Sequence, residues 1–311
     1  MTLPNFLIIG AAKAGTTALA YYLKQHPDIF MSDQKELKFF AFEGGIPVFR
    51  GPGDEQFSNA VTSLCDYEAC FAEVRAEKAI GEASPLYLYS PAAAERIRHY
   101  VPGARLIAVL RDPARRAYSQ FLHMMRDGFE PLGDFRAALL EEQKRIEAGW
   151  GPLFHYRKRG FYYEQLTPYY ERFPGQQIRV YLYADFVRDA MGLVRDAFRF
   201  LGVDETFIPD KTVRPNISGI PRSRMLQSAL RGRYAWLNAV VRAVLPKRLR
   251  VGVHNVLRRK NLTRPPLDPE VRRDLIREYR DDILRLQDLL DRDLSAWLEV
   301  QPGETVEGEP A

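Results

Sequence analysis

The stretch FLIIGAAKAGTT, residues 6–17, decides the fold of this chain. Its first five residues predict a short buried strand, and the residues from Thr17 onward have helical character. Between them lies a loop of small residues, whose backbone N–H groups can approach an anionic oxygen at the N-terminus of the helix. The stretch therefore predicts a strand, a phosphate-type loop and a helix.

This loop differs from the Walker A loop of nucleoside-triphosphate enzymes. A Walker A loop requires Gly-x4-Gly-Lys-Ser/Thr, whereas here Lys13 precedes Gly15 and Thr16 follows it. No Walker B acidic residue is identifiable either. A nucleotide kinase on the same doubly wound fold stays an alternative, which phosphoryl transfer with magnesium would support.

Apolar runs alternate with helical segments along the rest of the chain. Strands are predicted at 79–81, 106–110 and 178–183, and helices at about 90–102, 113–127, 134–148, 161–173, 186–201, 225–244 and 268–298. Such alternation implies an α/β fold, here a P-loop-like doubly wound parallel sheet flanked by helices, with a helical C-terminal extension. We expect residues 1–300 to form a single domain, and residues 301–311, rich in Glu, Gly and Pro, to be disordered.

The composition is that of a globular protein without a membrane span. The 311 residues are 46% hydrophobic and 27% charged, and no run of about 18 apolar residues occurs. The N-terminus lacks the order of a signal peptide, so we expect a cytoplasmic protein. Two cysteines and five scattered histidines show no ligand spacing, so we predict no metal.

The net charge of +5 is unevenly distributed. Residues 211–267 contain fourteen Lys or Arg and no Asp or Glu, so we expect this segment to meet something anionic. An apolar helix around Trp236 beside Lys247 and Arg248 allows two readings, a lid packed on the core or an interfacial helix. The second would make the chain a membrane-surface or nucleic-acid binding protein. We predict no specific nucleic acid partner.

Three later motifs join the first loop in a fixed order. They are HPDI at 26–29 with KELKFF at 35–40, GEASPLYL at 81–88, and LRDPARRAYSQF at 110–121. Together the four stretches resemble the motifs of sulfotransferases that use 3′-phosphoadenylyl sulfate (PAPS), of the heparan and bacterial types. The resemblance covers about residues 5–202 and a loop at 216–224.

The resemblance implies PAPS as co-substrate, 3′-phosphoadenosine 5′-phosphate (PAP) as product, and no metal. The residues it assigns to donor binding are Lys13, Ala14, Gly15, Thr16 and Thr17 at the 5′-phosphosulfate, and Arg111, Ser119 and Arg222 at the 3′-phosphate. The chemistry of Arg111 agrees, because it directly follows a buried strand and a guanidinium can fork onto a phosphate.

The resemblance also implies the catalytic residues. Glu36 in KELKFF corresponds to the catalytic glutamate, which acts as general base, and Lys13 would stabilise the leaving group. We expect Phe39, Phe40 and Phe42 to shield the Glu36 carboxylate from water. His123 is the next candidate for the base.

The acceptor stays open. A glycan, a lipid, an acyl chain or a small hydroxylated metabolite would all fit, and so would O- or N-sulfation. Ala83 stands where several glycan-acting members have a lysine, which weakens the case for a heparan-like acceptor, although Ser84 could offer a hydroxyl nearby. Tyr162, in a segment similar to the family's G-x-Y-x-x-x-L helix, either contacts substrate or belongs to the core.

Overall fold

The fold is built on one parallel sheet. A computed structural model describes residues 2–210, 220–221, 262–263 and 265–300. The sheet strands are β1 (Phe6–Gly10), β2 (Ile29–Met31), β3 (Ala79–Ala83), β4 (Arg105–Leu110) and β5 (Ile178–Leu182). Their order is β2-β3-β1-β4-β5, and every neighbouring pair is parallel. The predicted doubly wound α/β class is confirmed.

Helices flank this sheet. They are α1 (Thr16–Leu23), α2 (Phe39–Phe42), α3 (Leu64–Ala69), α4 (Ala93–Tyr100), α5 (Pro113–Asp127), α6 (Phe135–Glu147), α7 (Tyr162–Tyr170), α8 (Tyr183–Arg188), α9 (Ala190–Leu201) and α10 (Pro269–Leu290). A short antiparallel pair, β6 (Ile220–Pro221) with β7 (Leu262–Thr263), lies apart from the sheet. The predicted helix at 225–244 and the predicted disordered tail lie outside the described residues.

The sequence located the elements better than their ends. The segment expected as one helix over 186–201 is two, because Asp189 interrupts it and its side chain caps α9 by accepting from the Gly192 N–H at 2.8 Å. Strand β2 was not predicted. It has only three residues, at the edge of the sheet, and its pairing with β3 defines it.

The C-terminal helix packs on the sheet domain, as its apolar spacing predicts. Leu275, Tyr279 and Leu286 are almost completely buried. The helix ends at Leu290, earlier than the expected 298, and a separate 3-10 turn follows at Ser295–Leu298.

All five main strands point the same way, so the loops that follow them meet at one edge of the sheet. Side chains placed in the loops after β1, β2, β3 and β4 are thereby gathered along the carboxyl ends of the strands, where α/β proteins bind ligands. This edge carries the predicted site.

Candidate active site

The first loop is shaped by two close approaches. Gly10 ends β1 so near to Leu88 that a side-chain Cβ there would lie 2.5 Å from the Leu88 Cβ. Gly15 precedes α1 at φ +93°, and a Cβ would lie 3.2 to 3.3 Å from the rings of Tyr183 and Phe186. Lys13 also has a positive φ, 70°. The backbone therefore curls tightly and directs the first N–H groups of α1 toward the sheet edge.

Arg111 contacts this loop from the neighbouring strand. It follows β4 and is 8% exposed, and its Nη1 donates to the Lys13 carbonyl oxygen at 3.3 Å. The guanidinium carbon lies 4.7 Å from the centroid of the Tyr183 ring, a cation–π contact. Two residues predicted for opposite ends of the donor are thus joined, and Tyr183 packs against both Arg111 and Gly15.

Tyr162 supports Arg111 from behind. Its side chain is completely buried, and its hydroxyl donates to the Arg111 carbonyl oxygen at 3.0 Å. The hypothesis of substrate contact by Tyr162 is therefore wrong, and the core reading holds.

The helix α5 leaves the site directly after Arg111. Asp112 caps it by accepting from the Arg115 N–H at 3.0 Å, and Pro113 opens its first turn. The second carboxylate oxygen of Asp112 accepts from Arg272 of α10 at 2.8 Å, a buried ion pair. Ser119 lies two turns further along α5 and is 6% exposed.

His123, one turn beyond Ser119, contacts Lys13. The Lys13 Nζ lies 2.9 Å from His123 Nδ1, and Asp127 Oδ2 lies 3.1 Å from His123 Nε2. Burial and the Lys13 charge lower the pKa of His123 to about 4. The imidazole is therefore neutral near pH 7, with Nδ1 accepting from the ammonium and Nε2–H donating to the carboxylate. Sequence reasoning had named His123 only as a substitute base, because the two residues are 110 positions apart.

Glu36 lies in the loop after β2, in an unusual backbone conformation. Glu36 and Lys38 both have positive φ, 52° and 57°. The Glu36 side chain is 48% exposed, and its Oε2 lies 3.7 Å from the Nζ of Lys38, whose side chain is 7% exposed. The carboxylate is thus accessible from solvent and faces the buried Lys38 ammonium.

The aromatic residues after Glu36 do not shield it. Phe39 stacks on Tyr67 with centroids 4.5 Å apart, and Phe39 and Phe40 are completely buried in the core. Phe42 belongs to a second apolar cluster. The expectation that these rings cover the carboxylate is wrong, because α2 turns them inward.

A buried carboxylate lies behind the Glu36 loop. Glu82 of β3 is 1% exposed, and burial raises its pKa to about 7. Ser84 Oγ donates to its Oε2 at 2.8 Å and Tyr67 Oη to its Oε1 at 3.4 Å. The Lys38 N–H in turn donates to Ser84 Oγ at 2.9 Å. Ser84 is completely buried, so it cannot offer its hydroxyl to an acceptor as the sequence suggested.

Arg222 and most of the basic segment lie outside the described residues. Within the described part, no three or more His, Cys, Asp or Glu side chains are grouped so as to hold a metal ion. Among the helices described, none has the length and apolar character needed to cross a membrane.

Comparison with known proteins identifies the family to which this chain belongs. The family described as "Sulfotransferase family" matches residues 4–207. The crystal structure of a sulfotransferase from Alicyclobacillus acidocaldarius superposes with a TM-score of 0.76 at 33% identity, over 96% of this chain and all of that one.

Two curated relatives match smaller parts. The membrane-associated sulfotransferase kil1 of Dictyostelium discoideum is 34% identical over 39% of this chain and 23% of its own length. The heparan sulfate glucosamine 3-O-sulfotransferase 3B1 of Mus musculus is 26% identical over 67% of this chain and 48% of its own length. The chain thus spans less than half of either relative.

Proposed function

The chain belongs to the sulfotransferase family, a transferase of the EC 2.8.2 class, and we propose that its donor is PAPS and its acceptor a hydroxyl or amine. The observation that carries this proposal is the contact of Arg111 with the Lys13 loop at the carboxyl ends of β1 and β4. It brings a guanidinium and an ammonium beside a helix N-terminus, where a nucleotide with two phosphate groups would be neutralised at both ends.

On this proposal the first loop holds the 5′-phosphosulfate. The backbone N–H groups of Gly15, Thr16 and Thr17 would bind its oxygens, with Ala14 and Gly15 keeping the approach open. Arg111 and Ser119 would bind the 3′-phosphate, joined by Arg222. No metal is part of the proposal.

The transfer step moves one sulfuryl group. The acceptor oxygen or nitrogen attacks sulfur in line, a new bond to sulfur forms, and the bond from sulfur to the 5′-phosphate oxygen breaks with its electron pair leaving on PAP. Lys13, directed by His123 Nδ1, would stabilise the negative charge that grows on that oxygen. The acceptor proton would pass to Glu36.

Glu36 suits the role of base better than His123. The Glu36 carboxylate is half exposed and open to an acceptor from solvent. His123 uses Nδ1 for Lys13 and Nε2 for Asp127, so taking the acceptor proton would cost it the contact with Lys13.

The acceptor class stays broad. Glycans, lipids, acyl chains and small hydroxylated metabolites are the proposed candidates, and the basic segment at 211–267 would meet an anionic acceptor or surface. The second function, a membrane-surface binder, is favoured only by that segment. Salt-dependent vesicle binding without PAPS turnover would support it. The cytoplasmic location is likewise a proposal, which fractionation of producing cells would test.

Two experiments test the proposed function. Incubation with labelled PAPS and extracts of the producing organism should yield a labelled acceptor, and a chain that never releases PAP in such extracts would contradict the proposal. The midpoint temperature of thermal unfolding should rise more with PAP than with AMP, since AMP lacks the 3′-phosphate. A ligand at a hundredfold excess over its Kd adds about 2.7 kcal/mol of stability, so equal shifts with both nucleotides would remove the 3′-phosphate assignment.

A further inference from the structure

We propose that Ser84 is a positioning residue for Glu36, acting through the backbone of Lys38 while the buried Glu82 carboxylate orients the Ser84 hydroxyl. This role rests on the proposed function, since it concerns the base of that reaction. Ser84 itself is completely buried, so its side chain has no exposed surface to offer a donor or an acceptor.

The Ser84 hydroxyl has one proton, and it donates that proton in a hydrogen bond to Glu82. Ser84 Oγ donates to Glu82 Oε2 at 2.8 Å, which turns the oxygen lone pairs toward the remaining direction. The Lys38 N–H occupies that direction and donates to Ser84 Oγ at 2.9 Å. In its ionised form the Glu82 carboxylate therefore fixes the direction from which Ser84 Oγ accepts, and Ser84 fixes where the Lys38 amide lies.

The Lys38 amide lies in a turn whose backbone is strained. Glu36 and Lys38 both have backbone conformations that residues with a Cβ rarely adopt. Between them, Leu37 is anchored through its carbonyl oxygen, which accepts from the Val61 N–H at 2.9 Å. Two hydrogen bonds in succession thus hold the strained turn that presents Glu36.

The Lys38 side chain carries the same constraint to the carboxylate. Its Nζ donates to the Gln56 carbonyl oxygen at 3.3 Å and to Asn59 Oδ1 at 3.2 Å. It also lies 3.7 Å from Glu36 Oε2. With the Lys38 amide held by Ser84 and its ammonium held by the 56–59 turn, the Glu36 carboxylate faces a cation fixed at both ends.

The test compares Ser84→Ala with Ser63→Ala. Ser63 is a matched control, because its Oγ also accepts a backbone N–H, that of Asp66 at 3.1 Å, and donates to the Asp66 carboxylate, but it caps α3. Each variant is assayed for Kd of PAP, kcat for PAP release from PAPS with the labelled acceptor, and hydrogen exchange at the Lys38 amide. Ser84→Cys, which keeps a weak donor, serves if the alanine variant does not fold.

We expect Ser84→Ala to lower kcat about 10- to 100-fold, as misplacement of a reacting group by about 1 Å does, with Kd for PAP changed less than about twofold. Hydrogen exchange at the Lys38 amide should be faster in Ser84→Ala than in the wild type. The kcat of Ser84→Cys should lie between those of the wild type and Ser84→Ala. Ser63→Ala should lose stability without losing kcat.

Three results would overturn the role. They are equal kcat for Ser84→Ala and Ser63→Ala, a loss of PAP binding parallel to the loss of kcat, and unchanged exchange at Lys38. A wild-type chain that binds PAP but never transfers from PAPS would instead overturn the proposed function, and the role with it.

Discussion

Two sides of the sheet edge are built in opposite ways. The donor side comprises the loop 11–15, Arg111, Ser119 and His123, and the acceptor side comprises the loop 32–38 with Glu36 and the buried Ser84 behind it. On the donor side the loops leave the adjacent inner strands β1 and β4, and a side chain bonds one loop directly to the other. On the acceptor side the loop leaves the edge strand β2, and its carboxylate is half exposed.

On the proposed function, the difference corresponds to what each side would bind. The proposed donor would be held by residues that directly follow central strands, the place where α/β sheets bind ligands. An acceptor that varies among relatives is served by a loop, which tolerates substitution, provided that a buried contact holds the one reacting group. The predictions that follow test whether the two sides separate in function as they do in structure.

The largest expected effect separates turnover from donor binding. Glu36→Gln keeps size and polarity but cannot take the acceptor proton, so we expect kcat to fall about 10²- to 10⁴-fold with Kd for PAP unchanged. Glu55→Gln, which changes another exposed glutamate, is the control and should retain kcat. Wild-type turnover of Glu36→Gln would move the base elsewhere.

A pH titration tests whether Lys13 is held before the donor arrives. The pKa of His123 is about 4 in the folded chain, below its ordinary 6.5, because of burial and the Lys13 charge. Between these values the unfolded chain binds a proton that the folded chain does not, so stability falls as pH falls, by about 3 kcal/mol at most.

His123→Gln should flatten this part of the curve of unfolding free energy between pH 6.5 and 4. His155, whose pKa burial also lowers to about 4, contributes equally in both proteins and drops out of the difference. Identical curves for wild type and variant would show that His123 is not held neutral.

Arg111→Ala tests the direct bond between the two donor loops. We expect it to weaken PAP binding by about 1.5 to 3 kcal/mol, the range for hydrogen bonds to charged groups, while AMP binding changes little. Calorimetric titration with both nucleotides measures the difference. If PAP and AMP weakened equally, Arg111 would serve the 5′ end of the nucleotide.

The smallest effect concerns the support behind Arg111. Tyr162→Phe removes a buried hydroxyl that donates to Arg111, and Tyr169→Phe removes one that donates to the Tyr87 carbonyl oxygen at 2.8 Å. Each should cost about 0.5 to 1.5 kcal/mol of stability in denaturant unfolding. Only Tyr162→Phe should also weaken PAP binding, and equal PAP affinity in both variants would limit Tyr162 to packing.

Local sequence pattern was enough to locate the elements of the donor side. The buried strand, the small-residue loop and the arginine after β4 are all contiguous features, so the sequence located them to within a residue or two. The contact of Lys13 with His123 joins positions 110 apart, and no periodicity reports such a pair. The sequence placed the residues on their elements but could not say which of them would touch.

The acceptor side was harder to predict from the sequence, because its contacts also join residues that are far apart in the chain. The orientation of α2 is set by packing against Tyr67 and Tyr87, which sends Phe39 and Phe40 away from Glu36. The bond from Lys38 to Ser84 spans 46 positions. A buried Glu82 on a strand was the one available signal, since a carboxylate in such a place requires partners.

The ion pair between Asp112 and Arg272 bears on how the chain folds as the ribosome makes it. The two residues are 160 positions apart, and at about 5 to 20 residues per second the arginine is synthesised about 8 to 32 s after the aspartate. During that interval the Asp112 carboxylate, which caps α5, lacks its ion-pair partner because Arg272 has not yet been synthesised. The cap of α5 therefore gains its ion-pair partner only when α10 docks, so on the proposed function the donor side reaches its finished electrostatic environment only at that step.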